Sequence, residues 1–269
     1  MPKAVIDDAL WSRIEPLLSK RRARNRRYAG RTPIPDRAVL TGILFVLRSG
    51  LPWNMLPREM GCGSGTTCWR RLVRWQRAGV WKRLHTALLT ELRRRGQLDL
   101  ARTVVDSSSL RALRGGIELD RTLPIAAKPG SKHHVLTDAH GIPLVAILTA
   151  ANRHDVTQLL PLVDAMPPVR GVIGRPLTGP RLVQGDRGYD SQPHRDQLQH
   201  RGIASQLAKR GTPDGSGLGR TRWVVERTLA WLHRFRRLAV RYERRPCVHE
   251  AFLSLACSLV CWYYLKPVI

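Results

Sequence analysis

The sequence predicts a wholly helical N-terminal region followed by an α/β region with a mixed sheet. As far as Gly96, apolar residues recur three or four positions apart, which is the spacing of an amphipathic helix. Beyond Gly96, short apolar runs alternate with helical segments, and the predicted order of elements is β-β-β-α-β-α-β-α, followed by a last helix. This order is typical of an α/β sheet whose first strands are antiparallel. We therefore predict two domains, residues 1–96 and residues 97–269.

Four helices are predicted in the N-terminal region. The first covers residues 5–18, and the second starts near Asp36 and stops at Gly50. The third follows Ser64, whose hydroxyl can cap the first turn of a helix. The fourth follows Gly79. Short helices with a glycine in the connection are typical of a helix-turn-helix arrangement.

The third of these helices is strongly cationic. We expect Arg70, Arg71 and Arg74 on its surface to contact DNA, as the recognition helix of a helix-turn-helix domain does. A plain helical bundle with a solvated arginine face is the alternative interpretation.

Five strands and four helices are predicted in the α/β region. The strands cover residues 101–106, 132–138, 142–150, 181–186 and 204–208. The helices cover residues 155–166, 192–202, 222–238 and 248–265.

The chain is strongly basic. It has 269 residues with 39 arginines and 7 lysines against 20 acidic residues, for a formal net charge of +26. A polyanion is the partner that such a charge favours, nucleic acid before an anionic membrane. Many of the arginines fall in a predicted loop at 19–31, in the third helix and in residues 222–237. A general bias toward arginine is the alternative explanation.

Several other classes of protein are not expected. We expect no secretory signal, because Asp7 and Asp8 stand where such a signal needs an apolar run. The most apolar stretch, residues 251–265, is shorter than the roughly 20 residues of a membrane span, so we expect a buried helix there. The five cysteines are an odd number without zinc-type spacing. We therefore expect a cytoplasmic protein with reduced thiols and no membrane partner.

Acidic residues are scarce, so the positions of three of them are informative. Asp106 and Asp186 each end a predicted strand, and Glu226 lies inside a predicted helix. Two carboxylates at strand ends and a third on a helix packed across the sheet can converge on hard divalent cations. Two such ions about 4 Å apart can activate a nucleophile and stabilise the leaving oxygen of a phosphodiester displacement. We therefore predict a phosphodiester-transfer site that uses two Mg²⁺ or Mn²⁺ ions.

Each of these carboxylates also has a structural explanation. Asp106 precedes three serines and Asp186 precedes Arg-Gly, so each could close a turn. Glu226 could pair with Arg222, four residues earlier on the same helix. In the order Asp, Asp, Glu, however, the three together favour the catalytic interpretation.

One face of the helix that carries Glu226 offers two more candidates. Arg222, Glu226 and His233 are spaced by four and seven residues, so they share that face. Arg222 and His233 could hold a DNA phosphate beside the metal ions. The alternative is surface ion pairing with a partly buried His233.

At these residues the sequence resembles the bacterial insertion-sequence transposases of the DDE class. The similar segments are residues 106–112, 132–138, 185–190 and 222–235, and residues 39–83 resemble the N-terminal helical domain of the same group. A related group has the signature Tyr, two residues, Arg, three residues, Glu, six residues, Lys. Arg222 and Glu226 match it, whereas Gly219 stands at the Tyr position and His233 at the Lys position.

The resemblance implies an RNase H-like catalytic core with Asp106, Asp186 and Glu226 as the metal-binding triad. It also implies cleavage at the ends of an insertion sequence and joining of those ends to target DNA, by phosphodiester hydrolysis and then transesterification. The implied partners are double-stranded DNA, both the terminal inverted repeats and the target, and further copies of the chain in a homodimer or larger assembly. The implied location is the cytoplasm of a bacterium, with the nucleoid.

Two other functions remain open at this point. An RNase H-like nuclease or resolvase would share the three carboxylates. A catalytically inactive DNA-binding regulator, derived from a mobile element, would share the basic N-terminal helices.

Overall fold

A computed structural model describes residues 5–18, 32–113, 130–211 and 219–266 of the chain. The predicted arginine-rich loop at 19–31 lies outside the described residues.

The four predicted N-terminal helices are confirmed. They are α1 (Asp8–Ile14), α2 (Asp36–Ser49), α3 (Gly65–Arg77) and α4 (Val80–Arg94). The α-helical part of the first is shorter than predicted, since a 3₁₀ turn follows Ile14, with Pro16 in its first positions. Gly50 ends α2 in the left-handed conformation, with φ +76°, and the Ser64 hydroxyl accepts a hydrogen bond from the Thr67 amide at 3.2 Å.

Two tryptophans form the centre of the helical region. Trp75 of α3 and Trp81 of α4 are both fully buried, with ring centroids 5.8 Å apart and planes 88° apart. Such edge-to-face pairs add to the stabilisation from burial alone. Gly79 between the two helices has φ +67°, which turns the chain sharply enough for the tryptophans to meet.

The α/β region is built on a five-stranded mixed sheet. The strands are β1 (Thr103–Arg111), β2 (Gly130–Asp138), β3 (Pro143–Ala150), β4 (Leu182–Gly185) and β5 (Ala204–Leu207). Their order in the sheet is β3-β2-β1-β4-β5. The first three strands are antiparallel neighbours, whereas β4 pairs with β1, and β5 with β4, in parallel. This is the strand arrangement of an RNase H-like sheet, so the predicted fold class is confirmed.

The first strand is longer than the sequence suggested. We predicted that it would end at Asp106, but β1 continues through the three serines to Arg111. The reason is its antiparallel neighbour, because β2 pairs with β1 along the whole length, as far as Gly130 opposite Arg111. The side chain of Asp106 therefore projects from within a strand and not from a turn.

Five further helices surround the sheet. They are α5 (Leu159–Asp164), α6 (Gln192–His200), α7 (Gly219–Arg234), α8 (Arg236–Ala239) and α9 (Pro246–Leu265). The predicted helix 155–166 opens as a 3₁₀ turn, Asp155–Gln158, and becomes α-helical at Leu159, which leaves Pro161 in the first turn, where a missing amide hydrogen is tolerated. The predicted helix 222–238 is divided by Phe235, whose extended backbone separates α7 from α8.

The last helix joins the two regions. α9 has 20 residues, so our expectation of a stretch too short for a membrane span was wrong, and its length and apolar character alone would allow a span. Most of it is nevertheless buried inside the protein, as predicted, where it packs against α4 of the helical region and β3 of the sheet. One continuous apolar core therefore extends from the helical region to the sheet.

Candidate active site

The sheet register places two of the predicted carboxylates side by side. Thr103 of β1 pairs with Val183 of β4, and Val104 pairs with Gln184. Continued by two residues, the same register aligns Asp106 with Asp186. Asp186 follows directly after β4, where its Oδ1 accepts a hydrogen bond from the Gly188 amide at 2.9 Å. Both carboxylates thus stand where the parallel pairing ends.

The third carboxylate reaches the site on α7. This helix packs across β1 and β2, and Val224 and Val225 bury their side chains against Val104 of β1. Glu226 is the next residue and is exposed. Glu226 lies near enough to Asp106 to influence its ionisation, so α7 brings the third predicted carboxylate to the end of the parallel strands where Asp106 and Asp186 are aligned.

An ion pair joins α7 to the first strand. Arg222 Nη2 lies 3.7 Å from Asp106 Oδ2, and both side chains are only 17 % exposed. The sequence left open a pair between Arg222 and Glu226, but the structure pairs Arg222 with Asp106 on the strand. The positive charge of α7 therefore reaches into the carboxylate cluster.

The pKa of Asp106 is shifted by its burial and by the charged groups around it. Burial raises the pKa of Asp106 to about 6. The Ser107 amide, which donates to Asp106 Oδ1 at 2.8 Å, and Arg222 oppose the shift, whereas the carboxylates of Asp186 and Glu226 add to it. Asp106 is thus close enough to Asp186 and to Glu226 to be repelled by both, and its ionised form would be stabilised by additional positive charge.

His233 is partly buried, next to a histidine of the sheet. Its ring centroid is 6.0 Å from that of His133 on β2, and its buried Nε2 has no hydrogen-bond partner in the described part of the protein. Burial lowers the pKa of His233 below its ordinary value, so the ring is neutral near pH 7. It therefore carries no fixed charge of the kind that the signature lysine would supply.

Sequence reasoning missed a fourth carboxylate beside this cluster. Asp155 Oδ1 accepts hydrogen bonds from the Ser107 hydroxyl at 2.7 Å and from Lys132 Nζ at 2.9 Å. Burial raises the pKa of Asp155, but these hydrogen bonds outweigh it and hold the pKa below its usual value. The serine that follows Asp106 and the cation on β2 were visible in the sequence, but nothing local linked either of them to residue 155.

The described residues do not form a closed metal cage. Within 5–18, 32–113, 130–211 and 219–266, no three His, Cys, Asp or Glu side chains are grouped closely enough to hold an ion by themselves. Mg²⁺ is usually bound in a more open way, by one or two carboxylates together with water and substrate phosphates. A donor set of carboxylates, one of them paired with Arg222, fits such an open site.

The predicted DNA-contacting arginines of α3 differ in their surroundings. Arg70 and Arg74 are exposed. Arg71 is 14 % exposed, and its guanidinium forms an ion pair with Asp36 at the start of α2. Arg70 and Arg74 are therefore presented to solvent, whereas Arg71 also ties α3 to α2.

Comparison with known proteins agrees with this geometry. Residues 98–261 match the family described as "Transposase DDE domain", and residues 6–85 match the family described as "Putative transposase of IS4/5 family". The first match covers the whole sheet, with Asp106, Asp186 and Glu226. The second covers α1, α2, α3 and the beginning of α4.

Relatives of the chain are named for insertion elements. A Burkholderia cepacia protein, "Putative transposase for insertion sequence element IS402", is 64 % identical over 140 residues, which are 52 % of this chain and 66 % of the relative. The chain therefore spans just under two thirds of that protein. The "Insertion element IS402 uncharacterized 16.2 kDa protein" of the same organism is 57 % identical over 129 residues, or 48 % of this chain and 88 % of the relative.

A solved structure also aligns with the chain. It is the pre-cleavage Mos1 transpososome, at 12 % identity and a TM-score of 0.26, over 93 % of this chain and 82 % of that one.

The family match to the DDE domain covers more than half of the chain, and the matched residues include Asp106, Asp186 and Glu226. This chain therefore belongs to the DDE transposase family, with an N-terminal region of the IS4/5 type.

Proposed function

We propose that this protein cleaves DNA at the ends of an insertion sequence and joins those ends to target DNA. The observation that carries the proposal is the register of β1 on β4, which aligns Asp106 with Asp186 on the side of the sheet where α7 presents Glu226. Membership of the DDE family and the names of the IS402 relatives support it.

Asp106, Asp186 and Glu226 would hold two Mg²⁺ or Mn²⁺ ions in this reaction. Bound there, such ions would supply Lewis-acid activation of the attacking oxygen and stabilisation of the leaving oxygen. The carboxylates would share the remaining coordination positions with water and with phosphate oxygens of the DNA, in keeping with an open site.

The chain's own residues prepare the site for this task. The Ser107 amide orients the carboxylate of Asp106, and the Gly188 amide orients that of Asp186. Arg222 compensates part of the negative charge and can also approach a phosphate of the scissile strand. His233, being neutral, can offer a phosphate no more than a hydrogen bond.

The reaction has two displacements in this proposal. A water molecule attacks the phosphodiester at the element end and loses its proton to solvent, the bond from phosphorus to the 3′ oxygen breaks, and that oxygen takes up a proton to give a free 3′-hydroxyl. That hydroxyl then loses its proton and attacks a phosphodiester of the target. A bond from the element to the target phosphorus forms, and the 3′ oxygen of the cut target strand leaves and is protonated. No bond to the protein forms in either step.

The proposed partners are double-stranded DNA and further copies of the chain. Arg70 and Arg74 would bind the terminal repeat, and a homodimer or larger assembly would pair the two ends in the bacterial cytoplasm, on the nucleoid. A nuclease or resolvase with the same core would cleave but would not join ends to a target. An inactive regulator would bind DNA but would not cleave it.

The test uses a plasmid that carries the ends of the element. The wild-type protein should nick and join these ends only when Mg²⁺ or Mn²⁺ is added, whereas Asp106→Asn, Asp186→Asn and Glu226→Gln should bind the ends without cutting them. Asp196→Asn, an exposed acid on α6, is the matched control and should cut as the wild type does. Cleavage without joining would favour the nuclease, and binding without cleavage by the wild type would favour the regulator.

A further inference from the structure

Asp155 opens the 3₁₀ turn that follows β3. It follows β3 in sequence, yet its carboxylate lies beside residues that follow Asp106 and Asp186. One of its oxygens, Oδ1, accepts the Ser107 hydroxyl at 2.7 Å. The other oxygen, Oδ2, faces Gly188. A Cβ atom added to Gly188 would lie 3.6 Å from Asp155 Oδ2 and 2.9 Å from Asp186 Oδ1, so the two carboxylates lie against the same glycine. Asp155 therefore lies beside Ser107, which follows Asp106, and beside Gly188, which follows Asp186 by two residues.

Ser107 transmits the contact to Asp106. Its hydroxyl is held by Asp155, and its amide donates to Asp106 Oδ1 at 2.8 Å. Because Ser107 is fixed at both ends, a movement of Asp155 would move the donor that orients the Asp106 carboxylate. Asp155 would thus orient the Asp106 carboxylate through Ser107, as outer hydrogen-bond partners orient metal ligands.

Lys132 compensates the charge of Asp155. Its Nζ lies 2.9 Å from Asp155 Oδ1 and also donates to the Arg153 carbonyl at 3.0 Å, so it braces the loop as well. The ion pair is largely shielded from water, since the side chains of Lys132 and Asp155 are 13 % and 27 % exposed. His134 lies 3.7 Å from the same oxygen, but burial lowers its pKa to about 4, so the neutral ring leaves Lys132 as the counter-charge.

We propose that Asp155 is a positioning residue for the candidate active site, with Lys132 as its counter-ion and Ser107 as its link to Asp106. The pairing lets a fourth carboxylate stand beside Asp106, Asp186 and Glu226 without adding net negative charge. The inference rests on the proposed function, because the metal ions and the DNA strand are what the positioned carboxylates would bind.

Asp155→Asn is the primary test. The amide oxygen of asparagine can still accept from Ser107, but Lys132 is left as an uncompensated buried cation. Cleavage of an element end under single-turnover conditions should fall by about 10-fold to 100-fold, the usual effect of removing an outer partner of a metal ligand, while affinity for the end stays unchanged. Asp164→Asn, which removes an exposed acid at the end of α5, is the matched control and should cleave at the wild-type rate.

The double variant Asp155→Asn/Lys132→Met separates positioning from misfolding. Removal of the stranded cation should restore part of the rate, so the double variant should cleave faster than Asp155→Asn alone. Ser107→Ala removes the hydroxyl that donates to Asp155, so it should also slow cleavage, with no change in Tm. Wild-type cleavage by both Asp155→Asn and Ser107→Ala would overturn the proposal.

Mn²⁺ binding without DNA distinguishes failure of this inference from failure of the proposed function. In calorimetry, Asp155→Asn should bind Mn²⁺ about tenfold more weakly than the wild type and than Asp164→Asn. If the wild type binds Mn²⁺ but does not cleave, the proposed function fails, and a weaker affinity in Asp155→Asn still supports the positioning role. Equal affinity in all three proteins, or no binding in any of them, contradicts it.

Discussion

Arg222 Nη2 stands 3.7 Å from Asp106 Oδ2, so the helix that carries Glu226 is tied by charge to the strand that carries Asp106. Arg222 lowers the pKa of a carboxyl group that burial has raised to about 6. The guanidinium of Arg222 therefore favours the ionised form of Asp106 and also holds α7 against β1.

Replacing Arg222 should change the pH dependence of cleavage. In Arg222→Gln the pKa of Asp106 should rise further, so a smaller fraction is ionised at a given pH and the lower limb of the pH–rate profile should move to higher pH. Single-turnover cleavage measured from pH 6 to 9 checks this. Arg220→Gln, which removes an exposed arginine from the same helix, is the control, and a profile shared by both variants would argue against the role of the ion pair.

Two arginines of α3 should contribute to DNA binding in a way that the third does not. The double variant Arg70→Ala/Arg74→Ala should bind the element end more weakly, and the log–log slope of affinity against salt should shrink by about 0.9 for each DNA phosphate that is no longer neutralised. Fluorescence anisotropy at several salt concentrations measures this slope. An unchanged slope would return α3 to the solvated-face interpretation.

Arg71 provides the internal comparison. Because its guanidinium is paired with Asp36 between α3 and α2, Arg71→Ala should lower the Tm and leave the salt slope unchanged. A reduced slope with an unchanged Tm would instead place Arg71 on the DNA.

Arg227 should stabilise the protein through its planar guanidinium. It stacks between Trp223 and Trp231, with distances of 4.6 and 4.7 Å to the ring centroids, and donates to the Tyr264 hydroxyl at 2.9 Å. Arg227→Lys keeps the charge but cannot stack on two rings and donate at the same time, so we expect the free energy of unfolding to fall by about 1–2 kcal/mol.

Urea denaturation tests the effect of Arg227→Lys. Arg220→Lys, at an exposed position of α7, is the matched control and should unfold as the wild type does. If both variants are destabilised equally, the stacked arrangement contributes nothing specific.

The buried histidines should make the fold sensitive to acid. His249 Nε2 lies 2.8 Å from His133 Nε2, and the pKa of His249 is lowered to about 3, first by burial and then by Arg241 and Arg237. Below about pH 6.5 the unfolded chain takes up a proton at residue 249 that the folded chain does not, so the free energy of unfolding falls as the pH falls.

His249→Gln isolates this effect. Glutamine can still form a hydrogen bond with His133 but does not titrate. Between pH 6 and pH 4 the free energy of unfolding of the variant should therefore change with pH by about 1.4 kcal/mol per pH unit less than that of the wild type. The measurement is the urea midpoint at several pH values. The same steepness in both proteins would show that residue 249 is protonated in the folded state.

The site could be predicted from the sequence where local signals were strong. Asp106 and Asp186 each follow a short apolar run, and two parallel strands in register bring such positions together. Glu226 lies within a helix of clear periodicity, and Ser64 and Gly50 mark helix ends by well-understood backbone chemistry.

The rest depended on contacts between residues that are distant in sequence. Three successive serines do not favour a strand on their own, yet β1 continues through them because β2 supplies a partner for each residue. Asp155 is a single acid at the start of a predicted helix, and only the folded sheet places it beside Ser107. The pairing of Arg71 with Asp36 is likewise set by the packing of α3 on α2.

A thiolate in place of a carboxylate tests the central claim most directly, that Asp106, Asp186 and Glu226 together hold the ions that support DNA cleavage. Thiolate binds Mg²⁺ poorly and softer metals well. Asp186→Cys should therefore fail to cleave element ends in Mg²⁺ and regain cleavage in Mn²⁺ or Cd²⁺, whereas Asp196→Cys should cleave in Mg²⁺ as the wild type does. Wild-type cleavage by Asp186→Cys in Mg²⁺ would contradict the account.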